Sequence, residues 1–432
     1  MKKNKKLVIL ALATTMFISM AGCNKSLNGN QTVDVSDEVV EVVDNNVEQE
    51  TNTSTSTNTS TVEETVVNVS AKSTSALDVE NIFTTRDLKQ LADTSNATYY
   101  TLSDNNTITI TEEGVYVLTG TAKEAQVIVE ADDNAKVQLV LDGVNVTNSS
   151  SPVIYVKNAD KVFITLTESD NYMAVTGSFT ADGTTNLDAV IYSKDDLTLS
   201  GKGTLTIKSS VNGITSNDDL KISGGTYNIT ASGGHGLEGK ESLSVYDGTF
   251  TINAGTDGLH TSETADSTKG YIYIYGGSFN ITAKSDGVQS ITVLQIDGGN
   301  LKISAGEGLE STHVQINGGT VSISASDDGI NATQKSTALK ACLEINGGDI
   351  TVNMAQGDTD ALDSNGNLVI TGGTLNISAQ FAFDFDGSVT FTGGEVYVNG
   401  SKVTSISNSM MGCGGMGGPG GNMGRPGGFG GR

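Results

Sequence analysis

The stretch INGGTVSISASDDGIN, Ile316–Asn331, contains two different corners joined by the alternating run TVSISA. Val321, Ile323 and Ala325 alternate with small polar residues, the period of a half-buried strand. The Gly-Gly pair reads as a tight turn, and the acid-glycine pair as a second one. The same arrangement returns as ISGGTYNITA from Ile222, VYDGTFTINA from Val245, IYGGSFNITA from Ile274 and IDGGNLKISA from Ile296. It continues as INGGDITVNM from Ile345, ITGGTLNISA from Ile370 and FTGGEVYVNG from Phe391. Successive corners lie roughly 20 to 29 residues apart, within the range of solenoid repeats.

Short strands, one corner motif per repeat and connections of variable length predict an all-β fold, a right-handed parallel β-helix of the pectate-lyase-like kind. An antiparallel sandwich also has short strands but gives no reason for a corner to recur once per turn. Stacking the repeats makes an inward column of Tyr227, Phe250, Phe279, Leu301, Val321, Ile350, Leu375 and Val396, which is read as core. Upstream, VQLVLDGVNV, PVIYVKN and KVFITLT read as early rungs, Glu168 to Asn186 as an extended loop, and TTRDLKQLAD as part of a cap with one short helix.

Composition agrees with many strands and corners: 52 glycines accompany 3 prolines and no tryptophan. The formal net charge of −25 makes nucleic acid and anionic membrane surfaces poor partners. An acidic polymer could be held only with something positive between.

The N-terminus MKKNKKLVILALATTMFISMAGC has a basic region, a short apolar run and a small-small-Cys ending. It resembles a bacterial lipoprotein signal over residues 1–23, with Cys23 the lipidated residue. The expected location is the outer face of the cytoplasmic membrane, with membrane contact only through that anchor. Residues 24–79 are read as a disordered polar stalk, 80–406 as the β-helix domain and 407–432 as a flexible Gly/Met-rich tail. A monomer is expected.

The second corner reads NGIT at Asn212, HGLE at His235, DGLH at Asp257, DGVQ at Asp286, EGLE at Glu307, DGIN at Asp328 and DALD at Asp360. Superposed, these make one column from the first positions. Three residues on, a second column contains Thr215, Glu238, His260, Gln289, Glu310, Asn331 and Asp363. Glycine is assigned to the backbone conformation of the bend. Carboxylates about 5 Å apart on neighbouring rungs repel unless protonated or bridged. Calcium (Ca2+) takes about six to eight oxygen ligands, and the column offers Asp286, Glu307, Glu310, Asp327, Asp328, Asp358, Asp360 and Asp363. The alternative is that Asp and Asn merely favour turns. Thiolate or imidazole metals are not expected, because the histidines are scattered along the chain and the cysteines lie elsewhere; His235 is read as a corner residue.

Strand register turns Tyr271, Tyr273 and Tyr275 outward, with Tyr246 one rung earlier. They are expected to form an exposed strip on which sugar rings stack; β-propensity on a solvent face is the alternative. Evidence for catalysis is thin. The three arginines, Arg86, Arg425 and Arg432, lie outside the repeats, and GHG at 234–236 has no Arg-x-Lys partner. No catalytic residue is assigned.

TITEEGVYVLTG, AKVQLVLDGVNVTN, PVIYVKNADKVFITL, the repeated corners and the Gly/Met-rich tail resemble the clostridial β-helix carbohydrate-binding lipoproteins. The resemblance implies a pectate-lyase-like fold, bound calcium, and binding of cellulose and polygalacturonate without established lyase activity. The expectation is a cell-surface protein that recognises plant cell-wall polysaccharide. A calcium-dependent polysaccharide lyase and a surface protein with purely structural calcium are the alternatives.

Overall fold

The computed structural model describes residues 75–409 except 358. The lipobox cysteine Cys23, the stalk up to residue 74, Asp358 and the tail beyond 409 lie outside the described residues. Those described form a parallel β-helix, and no helix among them could cross a membrane.

Each rung contributes strands to three ladders. His313–Ile316, Thr320–Ala325 and Ile330–Ala332 represent one rung of each. The third ladder is a separate sheet of 12 strands; the other two are joined through the long strand Lys136–Asn148. Its first half pairs with Lys161–Leu166 and its second half with Asp170–Val175. Pairing between rungs is parallel throughout, and the far end is closed by Ser401–Val403 running antiparallel to Glu395–Val398.

The inward column is in register from Tyr227 through Phe250, Phe279, Leu301, Val321, Ile350 and Leu375 to Val396. All eight side chains are buried. Tyr227, Phe250 and Phe279 stack with centroids 5.2 and 4.5 Å apart and nearly parallel planes. Equivalent positions on successive rungs suit such parallel stacking, since the strand spacing matches the ring separation.

Four expectations need correction. The polar segment after Glu168 is not wholly a loop: Asp170–Val175 is a strand, because Met173, Ala174 and Val175 bury completely against the core. TTRDLKQLAD forms turns and no helix. Asp87 Oδ2 accepts hydrogen bonds from the backbone N–H and hydroxyl of Thr84. Its other oxygen is tied to Lys161 Nζ at 2.7 Å and to the Thr198 hydroxyl at 2.9 Å. These tertiary ties outweigh the modest helix propensity of the segment.

Nor is this segment an end cap. It is a strap laid along the outer face of the first ladder, running against the direction of rung growth. Gln315 Oε1 accepts the N–H of Ala76, Gln295 Oε1 accepts that of Leu77, and Gln90 Nε2 donates to the carbonyl of Ser223. The strap changes the tyrosine strip. The four tyrosines do lie on the outer face, but Val79, Ile82 and Phe83 pack over them. Tyr273 is fully buried and donates to Asp297 at 3.1 Å, and Phe83 meets Tyr246 edge-on at 5.5 Å. Tyr246, Tyr271 and Tyr275 are half-buried. The expected exposed platform is therefore covered by the chain itself, since outward-facing apolar rings gain from a second layer.

Candidate functional site

The acidic edge lies on the third ladder, where register places the expected second column in line. Thr215 pairs with Glu238, Glu238 with His260, His260 with Gln289 and Gln289 with Glu310. Glu310 then pairs with Asn331, and Asn331 with Asp363. Asp384 continues the line one rung further, in FAFDFDG, where the corner motif is too altered to align by eye.

Asp286, Glu307 and Glu310 converge, with one carboxylate oxygen from each within 4.8 Å of the others. The amide nitrogen of Gln289 bridges Asp286 Oδ2 and Glu310 Oε2 at 2.5 and 2.8 Å. Lys335 reaches Glu310 Oε2 at 2.7 Å, and Asn331 donates to Glu307 Oε2 at 3.1 Å. Burial, reinforced by the neighbouring carboxylates, pushes the Glu307 carboxyl up to about 8. Asp286 is raised by burial and by Asp257 and Glu310. Such a group of acids holds charge poorly by itself and is suited to a hard cation.

A second acidic group follows. Burial, then Asp328, Asp384 and Asp360, pushes Asp363 up to about 7, and burial also raises Asp328. The buried Oδ1 of Asn331, beside this group, has no hydrogen-bond partner among the described residues. Asp327 is exposed at the corner, and its charge acts on neighbouring Asp328.

The first-position residues also have a structural task. Asn212 Oδ1 accepts the N–H of His235, Asp257 Oδ1 that of Asp286, and Asp328 Oδ1 that of Asp360. Each thus ties its rung to the next. The glycine that follows is not there for a left-handed backbone, as expected from the bend. A Cβ on Gly308 would lie 2.3 Å from the carbonyl oxygen of Gly329 and 2.5 Å from Ile323 Cγ2. Gly236, Gly258, Gly287 and Gly329 meet an equivalent carbonyl and β-branched side chain of the following rung. Positive φ belongs instead to the other corner, at Gly225, Gly248, Gly277, Gly299, Gly319, Gly348, Gly373 and Gly394.

Two of the three histidines meet in space, while His313 stands apart against Glu344. His235 and His260 stack with centroids 4.0 Å apart, and Asp257 Oδ2 lies 3.1 and 2.8 Å from their Nδ1 atoms. Burial would raise the Asp257 carboxyl, but the two imidazoles and the Asp286 N–H hold it well below the usual range. Spacing of 25 residues along the chain conceals an adjacency that only rung register reveals.

A different kind of surface lies between the strap and the early rungs. A cavity of about 610 Å³ is lined by Arg86, Lys89, Lys202, Gln138, Phe163 and Thr165, among others. The Arg86 guanidinium sits 4.1 Å over the Phe163 ring, and Arg86, Lys89 and Lys202 outnumber the acid Asp93 in this lining.

Residues 104–361 and 311–404 match the family of carbohydrate-binding domain-containing proteins. The chain belongs to that family. A carbohydrate-binding domain-containing protein of Acetivibrio thermocellus is 37% identical over 110 residues, which is 24% of this chain and 38% of that relative. The chain therefore spans well under half the length of this carbohydrate-binding domain relative. The solved structure of a polysaccharide lyase-like protein from C. thermocellum, a gadolinium derivative, is 28% identical. The alignment covers 61% of this chain and 99% of that one, with a TM-score of 0.46.

Proposed function

We propose that this carbohydrate-binding domain protein is an exported, calcium-loaded module that holds acidic plant cell-wall polysaccharide, polygalacturonate first. The observation that carries the reading is the convergence of Asp286, Glu307 and Glu310 within 4.8 Å. The donor set fits calcium: carboxylates and amides, with a buried amide oxygen of Asn331 left without a hydrogen bond. Asp286, Glu307 and Glu310 would hold one ion, and Asp328, Asp360 and Asp363 would contribute to another. Bound calcium would supply positive charge that offsets the acids and can attract a uronate carboxylate. The chain's own residues then do the positioning. Gln289 and Asn331 space the carboxylates, and the rung-to-rung hydrogen bonds fix the edge along which a linear polymer can lie.

The basic cavity supports an acidic ligand independently. Arg86, Lys89 and Lys202 can pair with a carboxylate while Phe163 offers apolar surface. Attachment through a lipid on Cys23 is part of the same proposal and rests on the N-terminal signal. Loss of labelled fatty acid in Cys23→Ala would support it; retained label would remove it.

The test is electrophoresis of the native chain through gels containing polygalacturonate, with calcium and then with chelator. Retardation that requires calcium is expected, and it should weaken in Glu310→Gln. Equal migration with and without the polymer, by a chain shown to be folded, would overturn the reading. Unsaturated uronate in the gel would point to a lyase instead.

A further inference from the structure

We infer that this chain carries a second, chemically distinct metal site, a nitrogen-containing site for a divalent zinc-class ion at His235, Glu238 and His260. One ligand atom from each of these residues lies within 4.8 Å of the others. Glu238 stands in Leu237–Gly239, directly paired with His260 of the next rung, while His235 is at the corner just before. The site is thus built from two adjacent rungs of a rigid ladder.

Its surroundings are organised to present these donors. Asn212 Nδ2 and the Thr215 hydroxyl both donate to Glu238 Oε2, at 3.1 and 3.2 Å. They hold one carboxylate oxygen and leave the other for a ligand. Asp257 places Oδ2 against the Nδ1 atoms of both histidines, while its Oδ1 is engaged by the N–H of Asp286. A carboxylate against one imidazole nitrogen is the usual orienting partner of a metal-bound histidine. Thr256 Oγ1 lies 3.0 Å from Nδ1 of His235 and steadies that ring as well.

With Nδ1 of both rings set against Asp257 Oδ2, at 3.1 and 2.8 Å, their Nε2 atoms are the ones left to an ion. The two rings are also stacked at 4.0 Å with planes 14° apart. Two imidazoles and a carboxylate match zinc, which prefers nitrogen and few ligands, and match calcium poorly. The acidic group at Asp286, Glu307 and Glu310 offers oxygen only. The two sites should therefore sort ions by chemistry.

The experiment uses the full chain, purified without a histidine tag and saturated with calcium. Zn2+ is titrated by calorimetry, and Co2+ by visible absorption. One equivalent of Zn2+ is expected to bind despite excess calcium, with Co2+ giving ligand-field bands of an imidazole-containing site. His260→Gln and His235→Asn should each lose this binding. Both changes copy residues native to the same columns, Gln289 and Asn212, so the ladder is preserved; unchanged melting in chelator checks this. Glu310→Gln should retain the zinc equivalent while weakening calcium. No zinc binding by the native chain, or binding that survives both histidine changes, would overturn the inference. Loss in Glu310→Gln as well would assign the ion to the acidic group instead. None of these results bears on polygalacturonate retention, so the two readings fail separately.

Discussion

Asp328 Oδ1 accepts the backbone N–H of Asp360 at 3.1 Å, across the gap between two rungs. The same carboxyl faces the acidic edge, so one side chain serves both the ladder and a candidate ion. The two tasks can be separated. Asp328→Asn keeps an acceptor, as Asn212 does for His235 at 2.8 Å, but removes the charge. It should melt normally in chelator and lose part of its stabilisation by calcium. Asp328→Ala removes the acceptor too and should cost about 1–3 kcal/mol with or without calcium. Urea unfolding in both conditions checks each value. Identical behaviour of the two variants would remove the structural role.

The calcium-free chain should become less stable as pH rises from about 4 to about 8. Glu307, raised to about 8, and Asp363, raised to about 7, bind protons more tightly when folded than when unfolded. In this window the folded state holds more protons, so the slope of stability with pH is negative. Stability from these groups is fully present below their ordinary carboxyl values and lost as pH passes the raised ones. Saturating calcium should flatten the dependence. Melting temperature against pH, with chelator and with calcium, is the measurement, and a rising curve in chelator would contradict it.

Gly308→Ala and Gly143→Ala should differ sharply. A Cβ at 308 meets the Gly329 carbonyl at 2.3 Å, and neither rung can retreat without breaking the ladder. Its cost should reach at least about 3 kcal/mol. Gly143 has a φ of 73° but nothing within 4 Å of a new Cβ, so strain alone applies. About 1 kcal/mol is expected there. Equal losses in denaturant titrations would refute this explanation of the second-corner glycines.

Phe83→Ala should loosen the strap while leaving the solenoid core intact. Phe83 is fully buried against tyrosines on the outer face and takes no part in the inward column. Hydrogen exchange in residues 75–92 should accelerate strongly. Exchange in the Thr249–Ala254 and Ser278–Ala283 strands should not change. Uniform acceleration would mean that strap and solenoid open as one unit.

Lys89→Ala combined with Lys202→Ala should lower polygalacturonate retention without altering calcium binding. Both residues line the cavity near Arg86 and Phe163. The same gels with calcium present give the measurement; undiminished retardation would dismiss this cavity as a contact.

The repeating part of the molecule was legible in the sequence because each rung restates its neighbour. Aligning the Gly-Gly corners puts Tyr227 beside Phe250, and aligning the acid-glycine corners puts Glu310 beside Asn331, as the strand pairing does. What lay outside repetition was not legible. The strap has no period, and its contacts join Leu77 to Gln295 and Gln90 to Ser223. No local pattern encodes pairings that distant. The tyrosines were rightly placed outward, but outward did not mean exposed, because another segment covers them. His235 and His260 stood in the aligned corners, yet their joint chemistry emerges only when the columns are read across rungs. The second-corner glycines had a conformational explanation available, and the close approach of the next carbonyl could not be inferred without coordinates.

The strap also sets an order in time. Ala76 donates to Gln315, 239 residues later in the chain, and Leu77 to Gln295. A solenoid can grow by adding each rung to the last, using only nearby residues. The strap cannot follow that course: it is made before the rungs it covers, and its first residues have no place to dock until residue 315 has been synthesised. The earliest described part of the chain therefore settles only after the rungs it covers, and Tyr273 remains wet until it does.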